Sequence, residues 1–263
     1  MELITDPMTI AGLLSVGLLF GFTQTLFGFG GGVVIVPLLP LVVTLTTRET
    51  IATSLVTMTP IALFNAFRSF RNGTMAPSRS ASIAAGSVLG AAFAARATGW
   101  VSEAILQLSF GTAVAIMGLQ SVLFRPKSKF EARRIWDPIV GLGAGLVSGF
   151  TGLSGGVVMM PYLLRLKNLA AHRAVPTSIG ALAMTSLSGA VTFAWEDLQS
   201  SASSQLVRYD CVMWLIVGGL VSSFFGLRWQ GKLPDRVRVA GVSTILLVLG
   251  VRFILKGWAS YGG

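Results

Sequence analysis

Charge is what this sequence has least of. Only 11% of its 263 residues are Asp, Glu, Lys or Arg, against about 25% in a soluble globular domain. Hydrophobic residues make up 53%, and the mean hydropathy is +0.75. The deficit excludes an ordinary water-soluble fold and points to an all-α polytopic membrane protein. Cysteine is equally scarce: Cys211 stands alone, so no internal disulfide and no CxxC motif can form. The single histidine, His172, falls in a basic loop and reads as a solvated residue. No carboxylate stands in the middle of an apolar run, since Glu49, Glu103, Glu196, Asp197, Asp210 and Asp235 lie at or near run ends. Metal sites need carboxylates, imidazoles or thiolates, so neither a metal nor a cofactor is expected. Proton coupling lacks an evident intramembrane carrier for the same reason. A nucleophile elbow, a phosphate loop and a paired-His motif are also missing from any supporting context, so the chain is not expected to be an enzyme.

What is present is a succession of ten apolar runs, at 10–27, 30–45, 51–67, 81–98, 101–124, 138–153, 156–166, 174–195, 211–228 and 236–256. The loops at 68–79, 125–134, 165–173 and 228–238 are basic, whereas 196–205 and the N-terminus with Glu2 and Asp6 are acidic or neutral. The net charge of +10 therefore sits in short connections and marks topology rather than a nucleic-acid partner. The positive-inside rule places the four basic loops in the cytoplasm and both chain ends outside. The N-terminal MELITDPM has neither a basic n-region nor a cleavage site, so the first run is expected to be retained.

The chain is also doubled. GFTQTLFGFGGGVVIVPLL, beginning at Gly21, returns 124 positions later as GLVSGFTGLSGGVVMMPYLL, beginning at Gly145. Gly21, Gly28, Gly31, Gly32, Val33, Val34, Pro37 and Leu39 are identical to Gly145, Gly152, Gly155, Gly156, Val157, Val158, Pro161 and Leu163. Thr53-Ser54 matches Thr177-Ser178 at the same offset, and Gly86, Arg96 and Gly118 match Gly218, Arg228 and Gly250 at an offset of 132. An insertion near the serine-rich stretch around 200 accounts for the change. Five runs per half is an odd number, so the halves are expected to be inverted repeats: 1–124, a cytoplasmic basic linker at 125–137, and 138–263. The runs at 30–45, 138–153 and 156–166 fall short of the roughly 20 residues a helix needs to span the hydrocarbon. They are expected to form short glycine-tipped helical hairpins whose tips meet near the midplane, where broken backbone bonding must be buried in protein or line a polar cavity.

Each glycine tip is followed by an apolar helix, so free N–H groups and the positive end of the helix dipole face the tip. Two such starts make an anion site without a buried cation. Paired glycine-interrupted short segments are the sequence pointer to a transporter site, while the glycines also suit close helix packing. Gln24, Thr53 and Ser54, with their counterparts Ser148, Thr177 and Ser178, supply uncharged hydrogen-bonding groups at equivalent positions.

The doubled G-x(6)-G-x-x-G-G-V-V-x-x-P pattern, each copy followed by Thr-Ser, resembles the sulfite exporter TauE/SafE family over residues 10–257. The resemblance implies a secondary transporter in the bacterial inner membrane that exports a small sulfur-containing anion, sulfite or an organosulfonate, by alternating access. It carries the substrate-facing role onto Gly30, Gly31, Gly32, Thr53, Ser54, Ser154, Gly155, Gly156, Thr177 and Ser178. Gln24 and Ser148 join them as lining groups. Ser154 departs from the third glycine of the first motif, Gly30, and adds a hydroxyl there. The partners so implied are a small anion and the lipid bilayer, with no nucleic acid. An anion channel built on the same two tips is the alternative; a membrane scaffold would leave the polar lining dispensable.

Overall fold

The computed structural model describes residues 4, 6–27, 30–123, 131, 133–153, 155–199, 205–229, 250, 251, 253 and 258. Among these the regular elements are helical: α1 (Pro7–Phe27), α2 (Gly32–Val42), α3 (Thr47–Arg71), α4 (Pro77–Ala97), a single 3-10 turn (Thr98–Trp100), α5 (Glu103–Leu123), α6 (Trp136–Thr151), α7 (Gly156–Arg165), α8 (Ala171–Gln199) and α9 (Tyr209–Trp229). The tenth apolar run lies largely outside the described residues.

The helix starts follow from local chemistry. Asp6 accepts from the Thr9 backbone at 3.0 Å and opens α1. Thr46 and Glu49 form a reciprocal capping box on α3. Pro77 occupies the first turn of α4, where its missing N–H costs nothing. α6 closes on Gly152, which adopts φ +69° and donates its N–H to Ser148; a left-handed residue at this place favours glycine.

Among the described residues five helices are long and apolar enough to cross a membrane: Pro7–Leu26, Thr47–Arg71, Pro77–Trp100, His172–Gln199 and Tyr209–Gly226. α2 and α7, with 11 and 10 residues, rise only about 15 Å, half of a hydrocarbon core of about 30 Å. The hairpins are not made of two half-length arms, however. α1 has 21 residues, as the apolar run at 10–27 alone nearly suffices for a full crossing, and α6 has 16. Each hairpin pairs a longer arm with a short one.

The doubling reappears in the helices. Shifted by 124, α2 and α3 start where α7 and α8 start and α1 ends where α6 ends, and α4 shifted by 132 coincides with α9 at both ends. The halves pack by exchange. α1 lies along α9, and α4 along α6. A methyl group at Gly17 would overlap the Leu215 carbonyl, and one at Gly21 the Gly219 carbonyl; at the equivalent places, Gly141 abuts Ile83 and Gly145 abuts Ser87. Both pairs run parallel, since residue numbers rise together along each contact. α3 and α8 run antiparallel: Arg48 at the start of α3 bridges Glu196 near the end of α8 at 2.6 Å, and Arg173 at the start of α8 donates to the Met75 carbonyl just beyond α3 at 2.6 Å. Close backbone approach along glycine stripes is the usual way helices pack in lipid, where no hydrophobic force separates partner from solvent.

Among the described residues the interior holds three apolar clusters. Leu13, Phe20, Leu55, Met58 and Leu215 belong to the first, Ile83, Met159, Leu163 and Leu182 to the second. The third, with Val33, Val36, Phe110, Leu153 and Val157, lies beside the glycine tips.

Candidate functional site

The two tips touch. Gly32, the first residue of α2, lies so close to Gly152 at the end of α6 that a methyl group there would overlap the Gly152 carbonyl and stand 2.9 Å from the Leu153 Cα. Ser54 on α3 donates to the same carbonyl at 3.3 Å. Gly30 and Gly155 take φ of +78° and +66°, turning the chain from one arm to the next. Gly31 then packs on the Phe20 ring of α1, and Gly155, its counterpart, against the Ala144 carbonyl of α6. Neither α2 nor α7 has its first turn capped by a side chain. Two helix starts with their dipoles' positive ends therefore face this region.

Gln24 and Ser148 stand one turn before the tips, on α1 and α6. Both are fully buried. Neither polar atom of the Gln24 amide has a hydrogen-bond partner, nor does the Ser148 hydroxyl or that of Thr57 on α3. An unpaired buried polar group costs about 1–3 kcal/mol, and most such groups in proteins are paired. Gln24 and Ser148 occupy repeat-equivalent positions, 124 residues apart.

Thr53 and Thr177 are engaged differently. Thr53 Oγ1 accepts from the Arg208 backbone N–H at 3.1 Å, and Thr177 Oγ1 from that of Ala76 at 3.0 Å. These are equivalent contacts, each tying the start of α9 or α4 to the other half, and each hydroxyl keeps its own proton to donate. Ser178 donates to the Val175 carbonyl at 2.8 Å. Gly156 opens α7 and is buried. Ser154 lies outside the described residues. The geometry thus gathers Gly30, Gly31, Gly32 and Ser54 with the end of α6, and places the Thr53 and Thr177 oxygens at helix starts. A cavity of about 560 Å³ between α5 and the α6–α7 hairpin is lined chiefly by Ile105, Leu108, Ile116, Val147, Val158 and Pro161, and none of the expected site residues lines it.

Residues 13–253 match the family described as Sulfite exporter TauE/SafE. The chain belongs to that family. It is similar to a probable membrane transporter protein of Methanocaldococcus jannaschii, 24% identical over 92% of this chain and 94% of the relative. It is also similar to probable membrane transporter proteins of Haemophilus influenzae, 27% identical over 85% and 87%, and of Xylella fastidiosa, 26% identical over 96% and 99%. No solved structure matches the chain. This TauE/SafE protein is accordingly a multi-pass membrane transporter of a small substrate, not an enzyme.

One buried group of the transporter escapes the sequence reading. Asp137, one residue ahead of the apolar run at 138, is fully buried in the first turn of α6. Its Oδ1 lies 3.1 Å from Arg79 Nη1 on α4 and accepts from the Tyr162 hydroxyl on α7 at 2.5 Å. Its Oδ2 is buried without a partner. A carboxylate at the edge of an apolar run reads as solvated; the only signal available was the pair of nearby arginine-bearing loops. His172, expected in a loop, is exposed on the first turn of α8.

Proposed function

We propose that this TauE/SafE protein is a secondary transporter that exports a small sulfur-containing anion, sulfite or an organosulfonate, by alternating access. The anion is held where the tips meet, by the starts of α2 and α7 and by Ser and Thr hydroxyls. The observation that carries the reading is the repeat-equivalent pair of buried, unpartnered polar side chains, Gln24 and Ser148, one turn ahead of two abutting glycine tips. The helix starts supply the positive end of two dipoles, and no buried lysine or arginine occurs among the described residues to hold a second negative charge. A singly charged anion suits that balance.

The halves are read as inverted repeats. Support comes from α3 and α8, equivalents of one another that lie antiparallel: an axis exchanging them is perpendicular to both and so lies in the membrane plane. The basic residues Arg68, Arg71, Arg79, Arg134 and Arg173 collect at one end, the cytoplasmic one by the positive-inside rule. This arrangement supports the reading of an N-terminus outside and of a bacterial inner membrane.

Liposomes loaded with labelled sulfite or a labelled sulfonate test the function. Slow, saturable efflux accelerated by unlabelled anion on the opposite side is expected. Unitary currents would instead assign an anion channel, and no flux of any panel member would overturn the anion reading.

A further inference from the structure

We propose that the anion held at the tips carries a hydrogen-bond donor of its own, an O–H or N–H beside its anionic oxygens, and that Gln24 reads it. Hydrogensulfite and hydroxy- or ammonio-substituted sulfonates belong to that class; plain alkanesulfonates do not. The inference rests on the anion-transporter reading above and narrows its substrate.

The starting observation is a primary amide buried with neither end paired. Gln24 is fully buried on α1, and both its Nε2 and its Oε1 lack a hydrogen-bond partner. Exchanging the nitrogen and the oxygen leaves the same two ends open, one that donates and one that accepts. Nε2 brings two N–H groups, which suit anionic oxygens, whereas Oε1 only accepts. An anion whose outer atoms are all acceptors pairs the first end and sets its lone pairs against the second. The ligand that pairs both ends has an acceptor and a donor. A site built to bond a substrate hydroxyl rejects the analogue without it, because a buried polar group is then left unpaired.

The amide stands among groups that can all donate. Gln24 lies one turn beyond Phe20 on the same face of α1, and Gly31 of the first tip packs on the Phe20 ring. Ser148, whose carbonyl accepts from Gly152 at 2.8 Å, has an unpartnered hydroxyl at the equivalent place on α6. Thr57 follows Ser54, the donor to the Gly152 carbonyl, by one turn of α3, and its hydroxyl is likewise buried and unpartnered. With the starts of α2 and α7, these groups supply donors for the anionic oxygens. Packing does not call for the amide: at an offset of 124 the second half has Ser148 in place of Gln24 and Ala181 in place of Thr57, with Ala181 fully buried in an apolar cluster. Among these side chains the end that can only accept belongs to the first half. The ligand therefore lies unsymmetrically, its donor turned to α1.

The test uses the purified full chain in detergent and two matched pairs of anions, with affinity read from the concentration dependence of the anion-induced rise in melting temperature. Hydrogensulfite is compared with methanesulfinate, which has methyl in place of hydroxyl, in mildly acidic buffer; 2-hydroxyethanesulfonate is compared with ethanesulfonate. Wild-type protein is expected to bind the donor-bearing member of a pair about tenfold or more tightly than the other. Gln24→Ser, which places the second half's residue in the first, is expected to bring the members of each pair to within about twofold. Thr57→Ala, which copies Ala181, is expected to weaken both members alike and to keep the preference. Retention of the preference in Gln24→Ser, or its loss in Thr57→Ala, overturns the assignment to Gln24. Equal binding within either pair by wild type, or tighter binding of the member without a donor, overturns the donor requirement and leaves the anion reading standing. No binding of any of the four anions by wild type overturns both.

Discussion

Replacing Gly32 by alanine places a methyl group into backbone. The nearest atoms are the carbonyl of Gly152 and the Leu153 Cα at 2.9 Å, so no flexible side chain can yield and the tips themselves must separate. Overpacking of this kind costs about 1–3 kcal/mol, and the gain in helix propensity of up to about 1 kcal/mol offsets only part of it at a helix start. Gly143, in the middle of α6, has nothing within 4 Å of where its methyl group would stand. There the same substitution is expected to stabilise by about 0.5–1 kcal/mol. Melting curves of the two purified variants should therefore move in opposite directions from wild type, Gly32→Ala down and Gly143→Ala up. Efflux from liposomes should fall in the first and persist in the second. A Gly32→Ala protein that melts at or above the wild-type temperature would refute the tip contact. One that melts lower yet keeps its full anion-induced shift would refute the tips as the binding place.

Gln24→Leu and Ser148→Ala each remove an unpartnered buried group and should raise the melting temperature of the ligand-free protein, by up to about 1–3 kcal/mol of stability, while abolishing the shift induced by sulfite or a sulfonate. Persistence of that shift in the double variant counts against both residues as ligands. Thr53→Val and Thr177→Val each strip a partner from a backbone N–H, at 3.1 Å and 3.0 Å respectively, and should destabilise by similar amounts of about 1–3 kcal/mol. Serine at either position should restore most of the loss in thermal melting; unequal losses would break the equivalence of the two contacts.

The helices were legible because membrane spans are written in composition. Runs expected at 51–67 and 211–228 became α3 (Thr47–Arg71) and α9 (Tyr209–Trp229), extended by caps that hydropathy does not see. The doubling was legible for the same reason, and so was the shortness of α2 and α7. The exchange of partners was not. A glycine stripe such as Gly17 and Gly21 announces that some backbone comes close, but nothing in it says that the backbone is α9, nearly 200 positions away. Within the candidate site the tips declared themselves by glycines whose positive φ is a local property. The use of Thr53 and Thr177 as acceptors did not, because their donors are main-chain N–H groups with no side-chain signature. Asp137 was passed over because a carboxylate beside a basic loop ordinarily points to water, and only packing from α4 and α7 buries it.

A doubled fold raises a further question of direction. If the halves exchange roles as proposed, identical halves would make the two transport states equal in energy, and any preference must come from residues that differ between equivalent positions. The Thr53 and Thr177 contacts do little to break the balance, since they recur on both sides with nearly the same length, whereas the two ends of the α3–α8 pair differ, with an Arg48–Glu196 bridge at one and Arg173 on main-chain carbonyls at the other. The glycine interfaces recur as well. The feet of the hairpins do not: one is Leu13, Leu38 and Cys211, the other Arg79, Asp137 and Tyr162. A bias of only about 1.4 kcal/mol shifts a two-state population tenfold, well within what gaining or losing one buried ion pair supplies. If the feet contribute to that bias, R79C/D137L/Y162L, by making them alike, should bring the inward- and outward-open populations closer together; unchanged populations would move the bias to the other unequal contacts, such as Arg48–Glu196.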